Sequence, residues 1–277
     1  MKVVKRLSDV RAERRLGAEY SWGFVPTMGY LHEGHLKLVR LARAENERVA
    51  VSIFVNPTQF APSEDLQAYP RDIDHDLDLL ERERVDLVFV PEAPGLYPDG
   101  FQTVVKVTDI TRRLEGASRP THFQGVTTVV AKLFNIVQPQ RAYFGQKDAQ
   151  QVVVVKRMVS DLNFDLQIVV GPTVRESDGL AMSSRNARLT PEQRDAAPIL
   201  YRALSAARTA IGDGERNGEI LREAMEKIIH SEPRARLDYV SVAHPWTLEE
   251  LAVLDEHALL SGAIFLGEVR LIDNIPI

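Results

Sequence analysis

Short apolar runs alternate with longer amphipathic segments along the first two thirds of the chain. Val49–Val55 is a β-branched run, which is typical of a strand buried on both faces of a sheet. In Phe123–Val137 the apolar residues recur three and four positions apart, which predicts an amphipathic helix. Repeated strand–helix–strand units predict a parallel sheet with helices on both faces. The same patterns predict strands at Gly23–Pro26, Val85–Val90, Ala142–Gly145 and Leu166–Val170, and helices at His32–Arg43, Asp72–Arg84 and Ala149–Leu162.

The pattern changes after Gly171 and Pro172, where helical segments precede strand-like ones. Pro191–Ile211 is rich in alanine and predicts one long helix, with Thr190 as its N-cap. A second helix is expected at Asn217–His230, and strands are expected at Leu237–Val242 and Ile264–Ile272.

This change of pattern places a domain boundary near residue 172. We expect an α/β fold, with a doubly wound, Rossmann-like parallel-sheet domain over residues 1–172 and a smaller C-terminal α+β domain over residues 173–277. Three closely spaced glycines, Gly212, Gly214 and Gly218, do not alter this division. They follow a helix rather than a strand, so they predict a polar connection instead of a dinucleotide-binding loop.

Composition narrows the chemistry. The 277 residues include no cysteine, which removes disulfides, thiolate zinc sites, iron–sulfur clusters and cysteine nucleophiles. The net charge of −5 argues against a nucleic-acid partner, although it leaves room for a local basic site for phosphate. The charged N-terminal segment is not followed by an apolar stretch, and no apolar run approaches the roughly 18 residues of a membrane span. We therefore expect a cytoplasmic protein with no membrane partner.

The segment Pro26–His35 lies where the first predicted strand gives way to a helix. Parallel sheets bind ligands at this carboxyl edge, and a helix start offers free N–H groups to an anion. His32 and His35 are three residues apart, so both are expected to project from one face of the first helical turn. Two imidazoles there can donate hydrogen bonds to a phosphate that gains charge. A helix start with two surface histidines is one alternative; zinc, another, would need four-residue spacing and a third ligand.

Polar side chains follow other predicted strands at the same edge. Asn56 and Gln59 come directly after a buried strand, and neutral amides suit the hydroxyls and carboxylate of a hydroxy acid. Lys147 lies between a strand and a helix, where it would place a cation near phosphate oxygens. Met182–Arg185 combines two hydroxyls with a guanidinium, which suits a mobile clamp on a triphosphate. Taken alone, each of these residues is also compatible with a solvated loop.

Together these segments resemble a known family. Pro26–His35 is similar to the HIGH signature, and Met182–Arg185 to the KMSKS-type loop, of the nucleotidyltransferase superfamily. The longer match is to the pantothenate synthetase family, which usually has Glu where this chain has Gln146. The resemblance covers nearly the whole chain to about residue 190, whereas the C-terminal third is similar only in length and general character. Blocks similar to that family follow in its order at Ser52–Phe60, Tyr69–Asp72, His122–Gly125, Gly145–Gln151 and Pro172–Asn186.

The resemblance implies an ATP-dependent carbon–nitrogen ligase of pantothenate (vitamin B5) and coenzyme A biosynthesis. Such an enzyme activates (R)-pantoate with ATP as pantoyl adenylate and releases pyrophosphate. The amine of β-alanine then displaces AMP to give pantothenate. The resemblance further implies a homodimer, an ATP- and pantoate-binding domain at 1–172, and a lid domain at 173–277 that carries the Met182–Arg185 loop.

The same resemblance assigns roles to individual residues. It implies that His35, His32 and Lys147 are catalytic, with His35 as the proton donor and Lys147 on the phosphates. The residues implied to bind pantoate or β-alanine are Gln59, Gln151, Asn56, Pro26 and Met28. The residues implied to bind ATP are Met28, Gly29, Tyr30, Leu31, His32, Glu33, Gly34, His35, Gly145, Gln146, Lys147, Asp148, Val174, Met182, Ser183, Ser184 and Arg185.

A magnesium ion is expected as well, because ATP chemistry normally uses Mg²⁺ to neutralise the phosphates. The acidic run Asp72–Asp78 is the obvious source of ligands, and Asp76 is its best candidate. The alternative is an acidic first helical turn, which the helix dipole explains without a metal.

Three other functions are weighed against the ligase. A nucleotidyltransferase that moves AMP or CMP to a phosphate would have a similar histidine loop, but its phosphorylated substrate would need cations where this chain has Asn56, Gln59 and Gln151. A tRNA-charging enzyme is disfavoured by the length and the acidic charge balance. A non-catalytic nucleotide-binding regulator would not require both histidines together with Lys147 and Met182–Arg185.

Overall fold

A computed structural model describes residues 1–61 and 66–277, which form two compact units. The second unit takes two short segments from the first two thirds of the chain in addition to the residues after 172. The roles expected of residues 1–172 and 173–277 stay predictions. The first unit comprises Met1–Thr108, Arg119–Gly145 and Val154–Pro172, and the second comprises Asp109–Ser118, Gln146–Val153 and Thr173–Ile277.

The first unit is built around a six-stranded parallel sheet. Its strands are β1 (Lys2–Val4), β2 (Trp22–Thr27), β3 (Arg48–Ile53), β4 (Leu87–Phe89), β5 (Arg141–Gly145) and β6 (Gln167–Gly171). Their order across the sheet is β1-β4-β3-β2-β5-β6, and all neighbouring strands run parallel. The chain order reverses at the centre, between β2 and β5, where doubly wound folds bind ligands beyond the carboxyl ends of the strands. The predicted doubly wound sheet is confirmed.

Apart from Pro191–Ile211, the predicted helices are present with ends no more than two residues from the predicted positions. β1 and the first helix lie where the sequence analysis predicted no element, because a three-residue strand and a highly charged helix give only a weak periodic signal. In chain order the helices are α1 (Leu7–Leu16), α2 (Glu33–Glu45), α3 (Ile73–Arg82), α4 (Ala93–Leu96), α5 (Glu115–Ser118), α6 (His122–Val137), α7 (Ala149–Asp161), α8 (Pro191–Ala196), α9 (Ile199–Gly212) and α10 (Gly218–His230).

The centre of the first sheet is buried as its sequence predicts. In β3 every residue from Val49 to Ile53 is buried, in agreement with a strand covered on both faces. Val25 of β2 and Val88 of β4 belong to the same apolar cluster. Because β2 and β3 are packed in the interior, their carboxyl ends are held in place, and so are the starting points of the loops that follow them.

The second unit contains a three-stranded antiparallel sheet in the order β7-β8-β9, formed by β7 (Ala235–Ala243), β8 (Leu259–Leu266) and β9 (Val269–Pro276). Its apolar core includes Leu204 of α9 and Leu221 of α10. The small α+β architecture predicted for the C-terminal part is therefore present. Among residues 1–61 and 66–277, no helix is both long and apolar enough to cross a membrane.

The prediction of one long helix at Pro191–Ile211 is wrong. The helix stops at Ala196 and a new one begins at Ile199. Pro198 lies between them; proline lacks an N–H and disfavours helical geometry in the residue before it. The predicted N-cap is confirmed, since the Thr190 side chain accepts a hydrogen bond from the Gln193 N–H.

The prediction of one strand at Ile264–Ile272 is also wrong. The segment spans the end of β8, a two-residue turn and the start of β9, with Leu266 paired to Val269. Gly267 has a φ of 57°, which glycine adopts without strain. Apolar residues lie on both sides of the Gly267–Glu268 turn, so periodicity alone does not reveal the hairpin.

Candidate active site

The loop between β2 and α2 is held by a carboxylate from α3. Asp76 is 1% exposed and accepts hydrogen bonds from the backbone N–H groups of Tyr30 at 2.8 Å and Leu31 at 2.6 Å. Burial raises the pKa of Asp76 above its ordinary value, although the two backbone donors oppose this. Tyr30 has a φ of 52° and Gly29 has a φ of 83°. The carboxylate therefore fixes a loop in which two consecutive residues adopt left-handed backbone geometry.

His32 and His35 lie side by side at the start of α2, with ring centroids 4.1 Å apart. The Nδ1 atom of His32 accepts a hydrogen bond from the Gly34 N–H at 3.2 Å. The Nδ1 atom of His35 accepts from the backbone N–H of His32 at 3.3 Å. A neutral imidazole that accepts through Nδ1 carries its proton on Nε2. Each neutral ring therefore has an Nε2–H group that can donate to an anion.

The position of His32 corrects one detail of the sequence prediction. Its backbone is extended, with a φ of −139° and a ψ of 175°, so His32 is the N-cap and the helix begins at Glu33. His35 occupies the third helical position, where capping boxes usually have Glu or Gln. The two imidazoles thus perform the capping of α2 themselves, which fixes the orientation of both rings.

Three of the residues predicted to bind pantoate or β-alanine lie together in the first unit. Asn56 and Gln59 are 1% and 7% exposed, and Asn56 Nδ2 donates to Gln59 Oε1 at 3.2 Å. Gln59 Nε2 lies 2.8 Å from the sulfur of Met28. Asn56 Oδ1 accepts from the hydroxyl of Tyr97 at 2.9 Å. Tyr97 belongs to none of the sequence motifs, so its role in orienting this amide pair is visible only in the folded structure.

The backbone of α6 passes very close to the Asn56–Gln59 turn. A Cβ atom at Gly125 would overlap the carbonyl oxygen of Thr58, and the Gly125 carbonyl accepts from Asn56 Nδ2 at 3.1 Å. His122 Nδ1 lies 2.9 Å from the carbonyl oxygen of Gln59. The two ends of the His122–Gly125 block therefore support the amide pair.

In the second unit, Lys147 belongs to a single 3₁₀ turn, Gln146–Asp148, that connects β5 to α7. Its Nζ atom lies 3.8 Å from Asp148 Oδ1. Asn274 of β9 donates through Nδ2 to the carbonyl oxygens of Gln146 and Lys147, each at 2.9 Å. The sequence analysis named no site residue beyond 190, because nothing local to Asn274 signals a contact made across more than a hundred residues.

The Met182–Arg185 loop follows a tight turn. The Val174 carbonyl accepts from the Met182 N–H at 2.9 Å, which closes the base of the turn. Ser183 Oγ accepts from the Arg185 N–H at 3.2 Å and caps a 3₁₀ segment, Ser184–Arg188. The loop therefore has defined backbone geometry in the structure.

The first turn of α7 is fixed by a buried neighbour of Gln151. Gln150 is 5% exposed, and its Nε2 atom donates to the carbonyl oxygens of Ile110 and Arg113, each at 2.8 Å. Gln151 itself is half-buried. Of the predicted site residues, the first unit holds Pro26, Met28, Gly29, Tyr30, Leu31, His32, Glu33, Gly34, His35, Asn56, Gln59, Asp76 and Gly145, and the second holds Gln146, Lys147, Asp148, Gln151, Val174, Met182, Ser183, Ser184 and Arg185.

The role of Asp76 as a magnesium ligand stays a prediction. Both of its carboxylate oxygens face backbone N–H donors of the Tyr30–Leu31 loop. Within the described part of the chain, no three His, Asp or Glu side chains are grouped so as to hold a metal ion. The Asp76 carboxylate is therefore engaged by the backbone of its loop.

Comparison with known proteins identifies the chain's relatives. A family model for pantoate–beta-alanine ligase matches residues 2–276. The chain belongs to the pantoate–beta-alanine ligase family. The predictions of this family and of a ligase are thereby confirmed. The match reaches the last strand, so this ligase also resembles its family in the C-terminal third, where the sequence analysis found only a general likeness.

Individual relatives agree with this assignment. Pantothenate synthetase of Chloroflexus aggregans is 59% identical to this ligase over 275 residues, or 99% of each chain. That of a Roseiflexus species is 57% identical over 274 residues, or 99% of this chain and 98% of the relative.

Solved structures of family members show the same fold as this ligase. The crystal structure of pantothenate synthetase from Thermus thermophilus superposes with a TM-score of 0.96 at 50% identity, and 99% of both chains is covered. The pantoate–beta-alanine ligase of Francisella tularensis, complexed with beta-gamma ATP and beta-alanine, gives a TM-score of 0.81 at 36% identity. That match covers 99% of this chain and 97% of the other.

Proposed function

We propose that this ligase joins (R)-pantoate to β-alanine through a pantoyl-adenylate intermediate. A carboxylate oxygen of pantoate attacks the α-phosphorus of ATP, and the bond from that phosphorus to pyrophosphate breaks. The amine of β-alanine then attacks the acyl carbon and loses a proton, while the carbon–oxygen bond to AMP breaks. This route replaces oxide, a very poor leaving group, with AMP, and it requires no covalent bond to the protein.

The observation that carries the proposal is the buried amide pair Asn56–Gln59 beside Met28 in the first unit. A hydroxy acid presents hydroxyl and carboxylate groups that neutral amides can bind as donors and acceptors. The Asn56 amide is fixed by Tyr97 and by the Gly125 carbonyl, and it donates to Gln59 Oε1, so the orientation of Gln59 is set before a substrate arrives. The relative from Francisella tularensis, complexed with beta-gamma ATP and beta-alanine, supports the other two substrates.

The histidine pair is proposed to stabilise charge on the reacting phosphate. Both Nδ1 atoms accept backbone N–H groups, so each neutral ring has its proton on Nε2. A donor whose direction is fixed in advance stabilises a transition state without reorganisation during the reaction. We therefore assign His35, with His32 beside it, to hydrogen bonding and proton donation at the α-phosphate.

The second unit is proposed to bind the triphosphate through Lys147 and the Met182–Arg185 loop. Cations and hydroxyl groups are suitable partners for phosphate oxygens. ATP is proposed to enter as its magnesium complex, with the ion held by phosphate oxygens and water, since Mg²⁺ keeps most of its waters and uses few protein ligands. We further propose that this ligase is cytoplasmic and that it forms a homodimer. Sedimentation velocity is the direct test of the oligomeric state.

An isotope experiment tests the intermediate. Pantoate labelled with ¹⁸O in its carboxylate should transfer one labelled oxygen to AMP in each turnover, because the bridging oxygen leaves with AMP. Pyrophosphate should also exchange into ATP when pantoate is present and β-alanine is absent. Mass spectrometry of AMP and radiolabel exchange measure these two outcomes.

Other outcomes identify other reactions. A nucleotidyltransferase would retain the nucleotide in its product and release no AMP. A ligase that forms an acyl phosphate would release ADP and place the label in inorganic phosphate. Unlabelled AMP, or exchange that requires β-alanine, would exclude the adenylate route.

A further inference from the structure

Two buried polar residues are adjacent near the end of the last strand. Asp273 and Asn274 of β9 are 5% and 3% exposed. Buried polar side chains are unfavourable unless they are hydrogen-bonded, so their partners indicate why they are present. Neighbouring residues of a strand point to opposite faces, so the two side chains reach different parts of the second unit.

Asn274 holds the turn that carries Lys147. Its Nδ2 atom donates to the carbonyl oxygens of Gln146 and Lys147, and its Oδ1 atom accepts from Gln146 Nε2, all at 2.9 Å. Two carbonyl oxygens can only accept, so the amide must face them with its nitrogen, and its orientation is defined. Neither aspartate nor leucine, which have a similar shape, could supply these two donors.

Asp273 holds the turn that leads into Met182–Arg185. Arg175 donates to both carboxylate oxygens of Asp273, at 2.6 Å and 2.9 Å. The same guanidinium donates to the Gly179 carbonyl at 3.0 Å and lies over the ring of Tyr201 at 4.1 Å. Gly179 has a φ of 93°, so this turn is a fixed, glycine-dependent bend.

We propose that Asp273 and Asn274 are positioning residues that set the places of Lys147 and the Met182–Arg185 loop from one point of β9. This inference rests on the proposed function, in which both segments bind the triphosphate of ATP. Asn274 acts by fixing the two peptide groups on either side of the Lys147 Cα atom, and Asp273 acts through Arg175. A shift of about 1 Å in a group that contacts the reacting phosphates is sufficient to lower a rate by about a hundredfold.

The decisive experiment is a double-mutant cycle that combines Asn274→Ala with Lys147→Ala. The measured quantity is the rate of pantoate-dependent exchange between pyrophosphate and ATP. In the wild-type background, Asn274→Ala should lower this rate by about tenfold to a hundredfold. In the Lys147→Ala background it should lower the rate by less than about threefold, because the side chain that Asn274 positions is already absent.

A matched control separates positioning from loss of stability. Asn217 caps α10 in the same unit by accepting from the N–H groups of Glu219 and Ile220, a role that is local to that helix. Asn217→Ala should lower the melting temperature while leaving the exchange rate within about twofold of wild type. If Asn274→Ala is insoluble, Asn274→Ser, which retains one donor, replaces it in the cycle.

The outcomes are distinct. An equal reduction in both backgrounds, or an Asn274→Ala enzyme with the wild-type exchange rate, would overturn the positioning role and leave the proposed function intact. A wild-type protein without pantoate-dependent exchange would instead overturn the proposed function. A strong reduction that disappears in the Lys147→Ala background supports the positioning role of Asn274.

Discussion

The Asp76 carboxylate in α3 binds the backbone N–H of Leu31 at 2.6 Å and so anchors the loop that precedes the histidine pair. A second bond, from the Tyr30 N–H, uses the other carboxylate oxygen. The acidic residue that the sequence suggested as a metal ligand is thus a partner of the backbone. A residue that anchors the backbone and a residue that binds a metal predict different effects of a substitution on stability and on magnesium dependence.

Replacing Asp76 by Ala should lower the free energy of unfolding by about 1–3 kcal/mol, because two backbone N–H groups lose their partner. Catalysis should weaken as the loop loosens, yet the Mg²⁺ concentration that gives half the maximal rate should stay unchanged. Chemical denaturation and a magnesium titration measure the two effects. Asp74→Ala, an exposed acid in the same helix, is the control and should change neither. A large rise in the Mg²⁺ requirement of Asp76→Ala would identify a metal ligand instead.

The two functions of His35 can be separated by choosing the substituent. His35→Ala removes the imidazole and the acceptor for the His32 N–H, so it should lower exchange by roughly 10²–10⁴. It should also lower stability by about 0.5–2 kcal/mol, the usual effect of losing a cap. His35→Gln retains a capping acceptor, so its stability should approach that of the wild type while its exchange rate stays low. Near-normal exchange in either variant would remove His35 from the mechanism.

The predicted pantoate ligands should affect one substrate only. Gln59→Ala and Gln151→Ala should each weaken pantoate binding by about 1–3 kcal/mol, the range for loss of a buried hydrogen-bond partner. ATP binding measured alone by calorimetry should barely change. Gln167→Ala, an exposed glutamine in β6, is the control and should leave both affinities intact. Loss of ATP affinity with pantoate affinity preserved would mean that the two substrate assignments are exchanged.

A largely buried ionic cluster should carry much of the stability of the second unit. Arg270 of β9 donates to Glu115 at 2.6 Å and 2.8 Å and to Asp238 at 3.0 Å. Arg270→Ala leaves two carboxylates without their cation, so the free energy of unfolding should fall by about 3–5 kcal/mol. Arg6→Ala removes an exposed pair with Asp9 and should change the free energy of unfolding far less than Arg270→Ala does. Equal effects in thermal unfolding would mean that the cluster is not specifically stabilising.

Tyr143 should make stability depend on alkaline pH. Burial and its hydrogen bond to Glu45 raise the pKa of Tyr143 to about 12 from its ordinary value of 10.0. Above pH 10 the unfolded chain loses this proton while the folded chain keeps it, so the free energy of unfolding should fall as pH rises from 10 to 12. Tyr143→Phe should show a shallower decline over the same range. Parallel curves in denaturant titrations would exclude this contribution.

Much of the fold could be predicted because its signals are local. The β-branched run around Val51 and the spaced apolar residues of α6 show their burial without reference to distant parts of the chain. The two wrong predictions, one helix at Pro191–Ile211 and one strand at Ile264–Ile272, fail because a short break lies within an otherwise regular segment. Pro198 interrupts a segment whose composition favours helix, and the Gly267–Glu268 turn divides a segment that is rich in apolar residues on both sides.

By itself, the sequence determined the parallel-sheet class, the histidine and amide motifs at its carboxyl edge, and the family to which they point. The sheet class follows from short-range periodicity and the motifs from residue types at fixed spacing, whereas the family follows from the resemblance of several sequence blocks in the same order. Only the tertiary structure decided that Asp76 serves the backbone, that Tyr97 orients Asn56, and that Asn274 holds the Lys147 turn. Each of these contacts joins residues at least 41 positions apart, and hydrogen-bond geometry between such residues depends on how the elements pack.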